Sequence, residues 1–305
     1  MAKVAVLGTG KMGSAIASRL ANQGYELILW NRTRAKAEAL GIGTLADTPA
    51  FAVRGVDIVI SNLTGPEAVR ATYLGSDGAI REAAGRLFIE MSTAGPDLLP
   101  SLSAEVTAAG GRLVDAPIIG APPLMRAGQA AILVGGDPVD VDLAAPVLSA
   151  LGTVRRVGPL GNGARLKLVA NSMLGDVILA AAELQVAGER VGLRPDDVFW
   201  VLERLAPMLT PRRSGIVSDQ HEPTLFALRD LRKDLDLAVE LFERSHAQAP
   251  LTRQARQLVA AVAKDYGDED ITAVARPYRQ SAAAAQAEAT RRPAVGAVAA
   301  NGDRT

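Results

Sequence analysis

Val4-Ala5-Val6-Leu7-Gly8-Thr9-Gly10-Lys11-Met12-Gly13 is the most telling stretch of the chain, because a short apolar run leads directly into G-x-G-x-x-G. A helix-like segment, Ser14–Ala21, follows it. In a dinucleotide-binding turn, the first glycine permits the tight turn, the second admits a pyrophosphate and the third lets the helix pack on the strand. The amides at the helix start then face the phosphates. We therefore predict that a dinucleotide lies against Gly8, Thr9, Gly10, Lys11, Met12 and Gly13.

The segment after the second predicted strand, Leu27–Trp30, indicates the form of the cofactor. An NAD site usually places Asp or Glu about 20 residues after the turn, where the carboxylate binds the ribose 2′-hydroxyl. This chain has Asn31, Arg32 and Thr33 there. A carboxylate would repel a 2′-phosphate, whereas a guanidinium pairs with it in bidentate fashion. The segment predicts NADP(H), the alternative being that Arg32 is an ordinary solvated surface charge.

Composition limits the classes of partner. A chain of 305 residues can hold two domains, and its 33 Lys and Arg balance 33 Asp and Glu, so no net charge recruits nucleic acid or an anionic membrane. The absence of cysteine excludes disulfides and thiol catalysis and suits a cytoplasmic protein. No signal peptide is expected at the N-terminus. Two histidines, His221 and His246, cannot form a His-rich metal site, and no metal is expected.

Short β-like runs alternate with helical stretches over the first half of the chain. The predicted strands are Val4–Leu7, Leu27–Trp30, Ile58–Asn62, Leu87–Met91 and Arg112–Asp115, and the predicted helices between them include Ser14–Ala21, Arg34–Leu40 and Asp97–Ala109. This alternation predicts an α/β domain with a doubly wound parallel sheet. Two further runs, Ala130–Val134 and Thr153–Val157, are predicted to complete that sheet.

After Gly161 the β pattern stops and an all-α region is predicted. Its first helix, Ala164–Val191, is apolar enough to be buried between domains or subunits, which predicts a homo-oligomer. The apolar run within it, Leu168–Ala182, is too short to span a bilayer. The later helices are predicted at Asp196–Leu205, Phe226–His246, Leu251–Asp265 and Ile271–Gln280. We expect domains at 1–160 and 161–280, followed by a disordered tail, 281–305, that lacks apolar bulk.

Lys167 and Asn171 stand out within the long helix. They are four residues apart and share one face, and apart from Arg165 their near neighbours are apolar. Buried polar groups need partners, and a substrate cleft is one way to supply them. A lysine ammonium could donate a proton to a carbonyl oxygen during hydride delivery. The alternative is a structural pair that caps a neighbouring loop.

Four stretches carry short motifs in a fixed order. They are Gly8-Thr-Gly10-Lys-Met12-Gly13; Asp115-Ala-Pro-Ile-Ile-Gly120-Ala with Ala127-Gly128 and Val134-Gly-Gly136; Gly161-x-Gly163-x-x-x-Lys167-x-x-x-Asn171; and Lys233-Asp234-Leu235 with Leu237-Ala238. Together they resemble the β-hydroxyacid dehydrogenase family, which includes 3-hydroxyisobutyrate dehydrogenase and glyoxylate/succinic semialdehyde reductases. The resemblance implies an N-terminal Rossmann domain, an all-helical C-terminal domain and an active site between them.

The resemblance also implies roles for individual residues. Lys167 would be the general acid in reduction and the base in oxidation, and Asn171 would position Lys167 or the substrate. Lys233 and Asp234 would line the cleft beside the nicotinamide and the small-molecule substrate. The loops after two strands would flank the cofactor, through Asn62, Leu63 and Thr64 and through Ser92 and Thr93, with Thr93 also near the substrate.

One departure from the family pattern concerns the substrate. The family usually has Ser-Gly-Gly where this chain has Ile119, Gly120 and Ala121, and the missing hydroxyl removes one anchor for a substrate carboxylate. The substrate is therefore either a small hydroxyacid held in another way or a larger, less polar molecule. An NADPH-dependent imine reductase is the alternative enzyme, which Ile119 favours and Lys167 disfavours. A catalytically silent scaffold is the third reading, which the presence of Lys167 and Asn171 disfavours.

Overall fold

A computed structural model describes residues 3–281, and its first half is a six-stranded parallel sheet with the strand order β3-β2-β1-β4-β5-β6. The strands of this sheet are β1 (Lys3–Leu7), β2 (Glu26–Trp30), β3 (Thr44–Leu45), β4 (Ile58–Ser61), β5 (Leu87–Glu90) and β6 (Arg112–Asp115). The five strands predicted for this part of the chain are present, and the short edge strand β3 was missed. The order is that of a doubly wound dinucleotide-binding domain, as predicted.

The central strand β1 shows why the sheet is covered on both faces. Val4 and Val6 belong to one apolar core, whereas Ala5 and Leu7 belong to the other. All four are fully buried. Because successive side chains of a strand point to opposite faces, a strand that is apolar throughout requires a helix layer on each side.

The prediction that Ala130–Val134 and Thr153–Val157 complete the main sheet was wrong. They correspond to β8 (Ala130–Val134) and β9 (Gly152–Arg156), which form a separate sheet with β7 (Ile118–Ile119) in the order β7-β8-β9. A single bridge between Asp115 and Gly135 connects the two sheets. Pro117, just after β6, has no amide hydrogen, so the β6 ladder cannot continue through it.

Helices connect the strands of this half. They are α1 (Lys11–Asn22), α2 (Arg34–Glu38), α3 (Pro49–Val53), α4 (Pro66–Leu74), α5 (Leu98–Ala108), α6 (Pro122–Ala127) and α7 (Pro138–Leu151), with a 3-10 helix at Ala79–Glu82. Sequence analysis found α1, α2 and α5. The four it missed each have a proline in the first turn, where the ring fits and no hydrogen bond is lost.

The second half of the described chain is helical, as predicted. It contains α8 (Asn162–Arg190), α9 (Pro195–Leu205), α10 (Arg213–Ser218), α11 (Leu228–Arg244) and α12 (Pro250–Tyr266), with 3-10 helices at Pro207–Arg212 and Ile271–Ala275 and a final helix, 276–281. These helices enclose a third apolar core that includes Ile178, Leu231 and Val259. The predicted disordered tail, 281–305, lies outside the described residues except for residue 281 itself.

The long helix α8 has two apolar faces, one buried and the other exposed. One is buried and includes Leu168, Gly175, Ile178 and Ala182. Within residues 3–281, α8 is the one helix long and apolar enough to cross a membrane by length and composition, but half of its most apolar window is buried inside the protein. The core helix of a soluble protein meets the same criteria, so this observation is weak evidence for a membrane span.

Candidate active site

The glycine-rich turn between β1 and α1 has no room for side chains at two of its three glycines. A Cβ on Gly8, which has a φ of +98°, would lie 2.3 Å from the Asn62 carbonyl oxygen, and one on Gly13 would lie 2.0 Å from the Gly8 carbonyl oxygen. A Cβ on Gly10 would meet nothing within 4 Å. Gly8 and Gly13 therefore hold the turn together, while Gly10 faces open space.

The start of α1 suits an anionic ligand. No side chain caps this end of the helix, and its first turn carries no acidic residue. Free amides and the positive end of the helix dipole then face the space in front of Gly10. The residues of this turn therefore fit the pyrophosphate of a dinucleotide.

The segment after β2 contains two arginines, Arg32 and Arg34, which differ in whether their side chains are paired. The Asn31 side chain accepts a hydrogen bond from the Thr9 amide at 2.9 Å and donates one to the Thr33 carbonyl at 2.9 Å, so it fixes this loop to the glycine-rich turn. Arg34 pairs with Glu38 and Asp47. Arg32 is exposed and, within residues 3–281, forms no hydrogen bond or ion pair. Arg32 is thus the arginine available to a ligand phosphate.

The loops after β4 and β5 contact each other at the same edge of the sheet. The Asn62 side-chain amide donates to the Met91 carbonyl at 3.1 Å, and the Leu63 amide donates to the Ser92 hydroxyl at 2.8 Å. Thr64 is exposed at the end of the first loop. Three of the predicted cofactor-flanking residues, Asn62, Leu63 and Ser92, therefore belong to one connected wall, which the Ser92 hydroxyl joins to the Leu63 amide.

Glu90, at the end of β5, lies beneath this wall and was missed by sequence analysis. Its carboxylate accepts hydrogen bonds from the Ser92 amide and the Ser61 hydroxyl, both at 2.6 Å, and Tyr73 bonds to the same hydroxyl at 2.7 Å. Burial raises the pKa of Glu90, while the hydrogen bonds oppose that shift. An acidic residue ending the otherwise apolar strand Leu-Phe-Ile-Glu was the available signal.

Residues from distant segments meet at one side of α8. Asn171 donates its side-chain amide to the Asp234 carboxylate, which also accepts from the Lys233 ammonium at 2.6 Å. The same ammonium donates to the Thr93 carbonyl at 2.7 Å. Lys167 lies one turn before Asn171 and donates to the Ile118 carbonyl at 2.6 Å. We call Lys167, Asn171, Lys233 and Asp234 the lysine cluster.

Burial makes Lys167 a stronger acid than a free lysine. Burial lowers the pKa of Lys167, and the neighbouring charge of Lys233 lowers it further, while Asp234 opposes both effects. An ammonium carries three N–H groups, and within residues 3–281 Lys167 uses one of them, in its hydrogen bond to the Ile118 carbonyl. The others remain for a ligand, so the group can give a proton to, or take one from, a bound oxygen.

The segment that departs from the family pattern lies directly beside Lys167. Ile119, Gly120 and Ala121 follow the carbonyl that Lys167 binds, and Ile119 is partly buried. Gly120 has a φ of +140°, which side-chain-bearing residues rarely adopt. This part of the site offers backbone groups and an apolar side chain instead of a hydroxyl.

Asp115, at the end of β6, is the other residue whose function sequence analysis did not assign. One carboxylate oxygen accepts from the Gly161 amide at 2.7 Å and the other from the Ala164 amide at 2.8 Å, so Asp115 caps the start of α8. Burial raises the pKa of Asp115 to about 6, against the opposing effect of these hydrogen bonds. Its position in the Asp-Ala-Pro motif was the available signal.

The two halves of the protein also meet across the glycine-rich turn. The Lys11 ammonium donates to the Thr224 carbonyl at 2.8 Å, and Thr224 is held in turn by the Glu222 carboxylate. Over residues 3–281, no group of three or more His, Asp or Glu side chains could hold a metal ion. The site thus presents backbone amides and three lysines, Lys11, Lys167 and Lys233, with Asp234 buried beside Lys233.

Comparison with known proteins assigns this architecture to a family. A sequence model of the NAD-binding domain of 6-phosphogluconate dehydrogenase matches residues 3–161, and one of the NAD-binding domain of NADP-dependent 3-hydroxyisobutyrate dehydrogenase matches residues 161–278. Glyoxylate/succinic semialdehyde reductase 2 of Arabidopsis thaliana is 31% identical over 89% of this chain and 78% of its own. The chain belongs to the β-hydroxyacid dehydrogenase family. Like other β-hydroxyacid dehydrogenases, it is a nicotinamide-dependent oxidoreductase.

Other similar proteins extend this picture. A 3-hydroxyisobutyrate dehydrogenase of Mycobacterium tuberculosis, solved with L-serine, superposes with a TM-score of 0.80 at 27% identity and covers 92% of this chain and 99% of its own. Cytokine-like nuclear factor N-PAC of Xenopus tropicalis is 30% identical over 90% of this chain, which spans only 53% of that longer protein. An imine reductase of Streptomyces aurantiacus shares the fold, with a TM-score of 0.62 at 22% identity over 90% of this chain and 99% of its own.

Proposed function

We propose that this protein transfers hydride between NADP(H) and the carbonyl or alcohol carbon of a small semialdehyde or hydroxyacid, with Lys167 as general acid and base. The observation that carries the proposal is the lysine cluster: Lys167, whose pKa is lowered by burial, lies near Lys233, which binds the Thr93 carbonyl in the loop predicted to flank the cofactor. The relative from Arabidopsis thaliana, a glyoxylate/succinic semialdehyde reductase, supports this substrate class.

The residues of the cluster divide the proton chemistry. Bound NADPH supplies the hydride to the carbonyl carbon. Lys167 donates a proton to the carbonyl oxygen as negative charge develops there, and it takes the proton back in the oxidative direction. The lowered pKa makes that donation easier near neutral pH. Asn171 fixes Asp234, and Asp234 holds Lys233 against the Thr93 carbonyl, so the second positive charge stays in place.

The preference for NADP(H) is supported by the free Arg32. Asn31 supplies no negative charge to repel a 2′-phosphate, and its oxygen is already used by the Thr9 amide. Arg32 is exposed and unpaired among the residues that the structure describes, so its guanidinium can donate two hydrogen bonds to a phosphate.

The deciding experiment is NADPH oxidation across a panel of carboxylate-bearing aldehydes and cyclic imines, with NADH measured in parallel. We expect turnover of the aldehydes. Turnover of the imines alone would establish the second candidate, an imine reductase, which the apolar Ile119 favours. Binding of NADPH without turnover of either class would leave the third reading, a catalytically silent scaffold.

We also propose that the protein assembles as a homo-oligomer through α8. The face of α8 opposite its buried side exposes an apolar stripe that runs along the helix. Its members are Leu166, Val169, Met173, Ala180, Leu184 and Ala187. An apolar stripe of this length is costly in water and is typical of a protein interface. Light scattering of the purified protein tests this proposal, and a monomer at micromolar concentration would contradict it.

A further inference from the structure

Asp115 joins the first half of the protein to the helix that carries Lys167. It ends β6 and is 1% exposed, and its two carboxylate oxygens accept hydrogen bonds from the backbone amides of Gly161 and Ala164 at the start of α8. Gly161, which precedes that turn, has a φ of +91° and provides no side-chain cap. Since free amides at a buried helix start need acceptors, Asp115 supplies from another strand the cap that the helix lacks.

The packing around this cap leaves little freedom. A Cβ on Gly163 would lie 2.4 Å from the Leu133 carbonyl oxygen and 2.7 Å from an Asp115 carboxylate oxygen. A Cβ on Gly135 would lie 2.7 Å from the other carboxylate oxygen. The carboxylate therefore sits between two glycines that have no room for a side chain, and the start of α8 is held in one position against β6 and β8.

The segment that begins with Asp115 holds α8 at a second point. Ile118 accepts the hydrogen bond of the Lys167 ammonium through its carbonyl. Lys167 lies about one helical turn beyond Ala164, whose amide Asp115 binds. The short segment from Asp115 to Ile118 thus forms hydrogen bonds both with the backbone of the first turn of α8 and with the Lys167 side chain in the second.

We propose that Asp115 is a positioning residue for Lys167. By fixing the first turn of α8, it sets where the Lys167 ammonium lies relative to Ile118 and to the following segment, Ile119–Ala121. The inference rests on the proposed function of Lys167 as the proton donor. It assigns to Asp115 an effect on the proton-transfer step and none on cofactor binding, since none of its hydrogen bonds involves the glycine-rich turn.

The neighbouring acid Glu90 is buried like Asp115 but does not contact α8 through its hydrogen bonds. Glu90 and Asp115 are register partners on adjacent strands, and both are 1% exposed. Glu90, however, binds Ser92 and Ser61, beneath the cofactor-flanking loops. Two equally buried acids at one edge of the sheet therefore support different parts of the site.

Asp115→Asn is the decisive variant, measured in the full chain. Asparagine keeps one acceptor oxygen but turns an N–H₂ group toward one of the two amides, so the first turn shifts while the shape is kept. We expect kcat to fall by about 10- to 100-fold, as a misplacement of about 1 Å can cause, with the Kd for NADPH unchanged within about twofold. Asp115→Ala is the more disruptive companion.

Asp137→Asn is the matched control. Asp137 also caps a helix, α7, by accepting from the Val139 amide, but it is exposed and α7 carries no residue of the lysine cluster. We expect this variant to keep its kcat. Equal losses of kcat in both variants, or a rise in the Kd for NADPH as large as the fall in kcat for Asp115→Asn, would overturn the inference.

Two further measurements separate this inference from the proposed function. If wild-type protein turns over substrate and Lys167→Ala does so equally well, Lys167 is not the donor and both proposals fail. If Lys167→Ala is impaired while Asp115→Asn keeps its kcat, only the positioning role fails. Hydrogen exchange at the Gly161 and Ala164 amides reports the cap directly, and both amides should exchange faster in Asp115→Asn than in Asp137→Asn.

Discussion

The glycine-rich turn and the lysine cluster border the same cleft but are built in different ways. The turn presents backbone amides to the space in front of it, and its geometry depends on the absence of side chains at Gly8 and Gly13. The lysine cluster binds through side chains, and each of them needs a partner from another segment: Ile118 for Lys167, Asp234 for Asn171 and Thr93 for Lys233. A backbone site is therefore specified locally, whereas a side-chain site depends on the whole fold.

The largest effect should come from the lysine cluster. We expect Lys167→Ala to lower kcat by about 10²- to 10⁴-fold, the usual contribution of a general acid, with the Kd for NADPH little changed because the glycine-rich turn is intact. Steady-state kinetics and fluorescence titration with NADPH measure the two quantities. Lys264→Ala, an exposed lysine of α12, is the control. An unchanged kcat in Lys167→Ala would remove the proton-donor role.

The next effect concerns stability against pH and involves Asp115. Its folded pKa of about 6 lies above the ordinary value of 3.8, so the folded state binds the proton more tightly than the unfolded state. This contribution to stability is complete below about pH 4 and is lost as the pH rises to about 6, with an upper limit of about 3 kcal/mol. In urea unfolding of Asp115→Asn between pH 4 and 7, the free energy of unfolding should not show this decrease. An identical pH dependence in the wild type and Asp115→Asn would contradict it.

A smaller effect should distinguish the two cofactors at the edge of the turn. Arg32→Ala should weaken NADPH binding by about 10-fold, the loss of a charge-assisted hydrogen bond, and leave NADH binding nearly unchanged. Arg34→Ala is the matched control, since Arg34 is already paired with Glu38 and Asp47. Equal losses for both cofactors in Arg32→Ala would show that no 2′-phosphate is bound there.

These two regions also differ in how far the sequence predicts them. The turn, the parallel sheet and the long helix could be predicted, because glycine spacing and apolar periodicity are local signals. The roles of the supporting acids could not, because Glu90 binds Ser61 and Asp115 binds Gly161, and an acidic residue at a strand end does not identify a partner that is distant in sequence. The separate sheet of β7, β8 and β9 was mispredicted because apolar runs indicate strands without indicating their partners.

The smallest effect tests whether the turn moves when the cofactor binds. The Thr9 hydroxyl is buried and has no hydrogen-bond partner among residues 3–281, although the Thr9 amide is bonded to Asn31. An unsatisfied buried hydroxyl costs free energy, so Thr9→Val should raise the free energy of unfolding without cofactor by about 1 kcal/mol. Because the hydroxyl is closed off from the cleft, the Kd for NADPH should stay the same. A weaker affinity in Thr9→Val would show instead that the turn rearranges to offer this hydroxyl to the cofactor, and the turn would then depend on a side chain as the lysine cluster does.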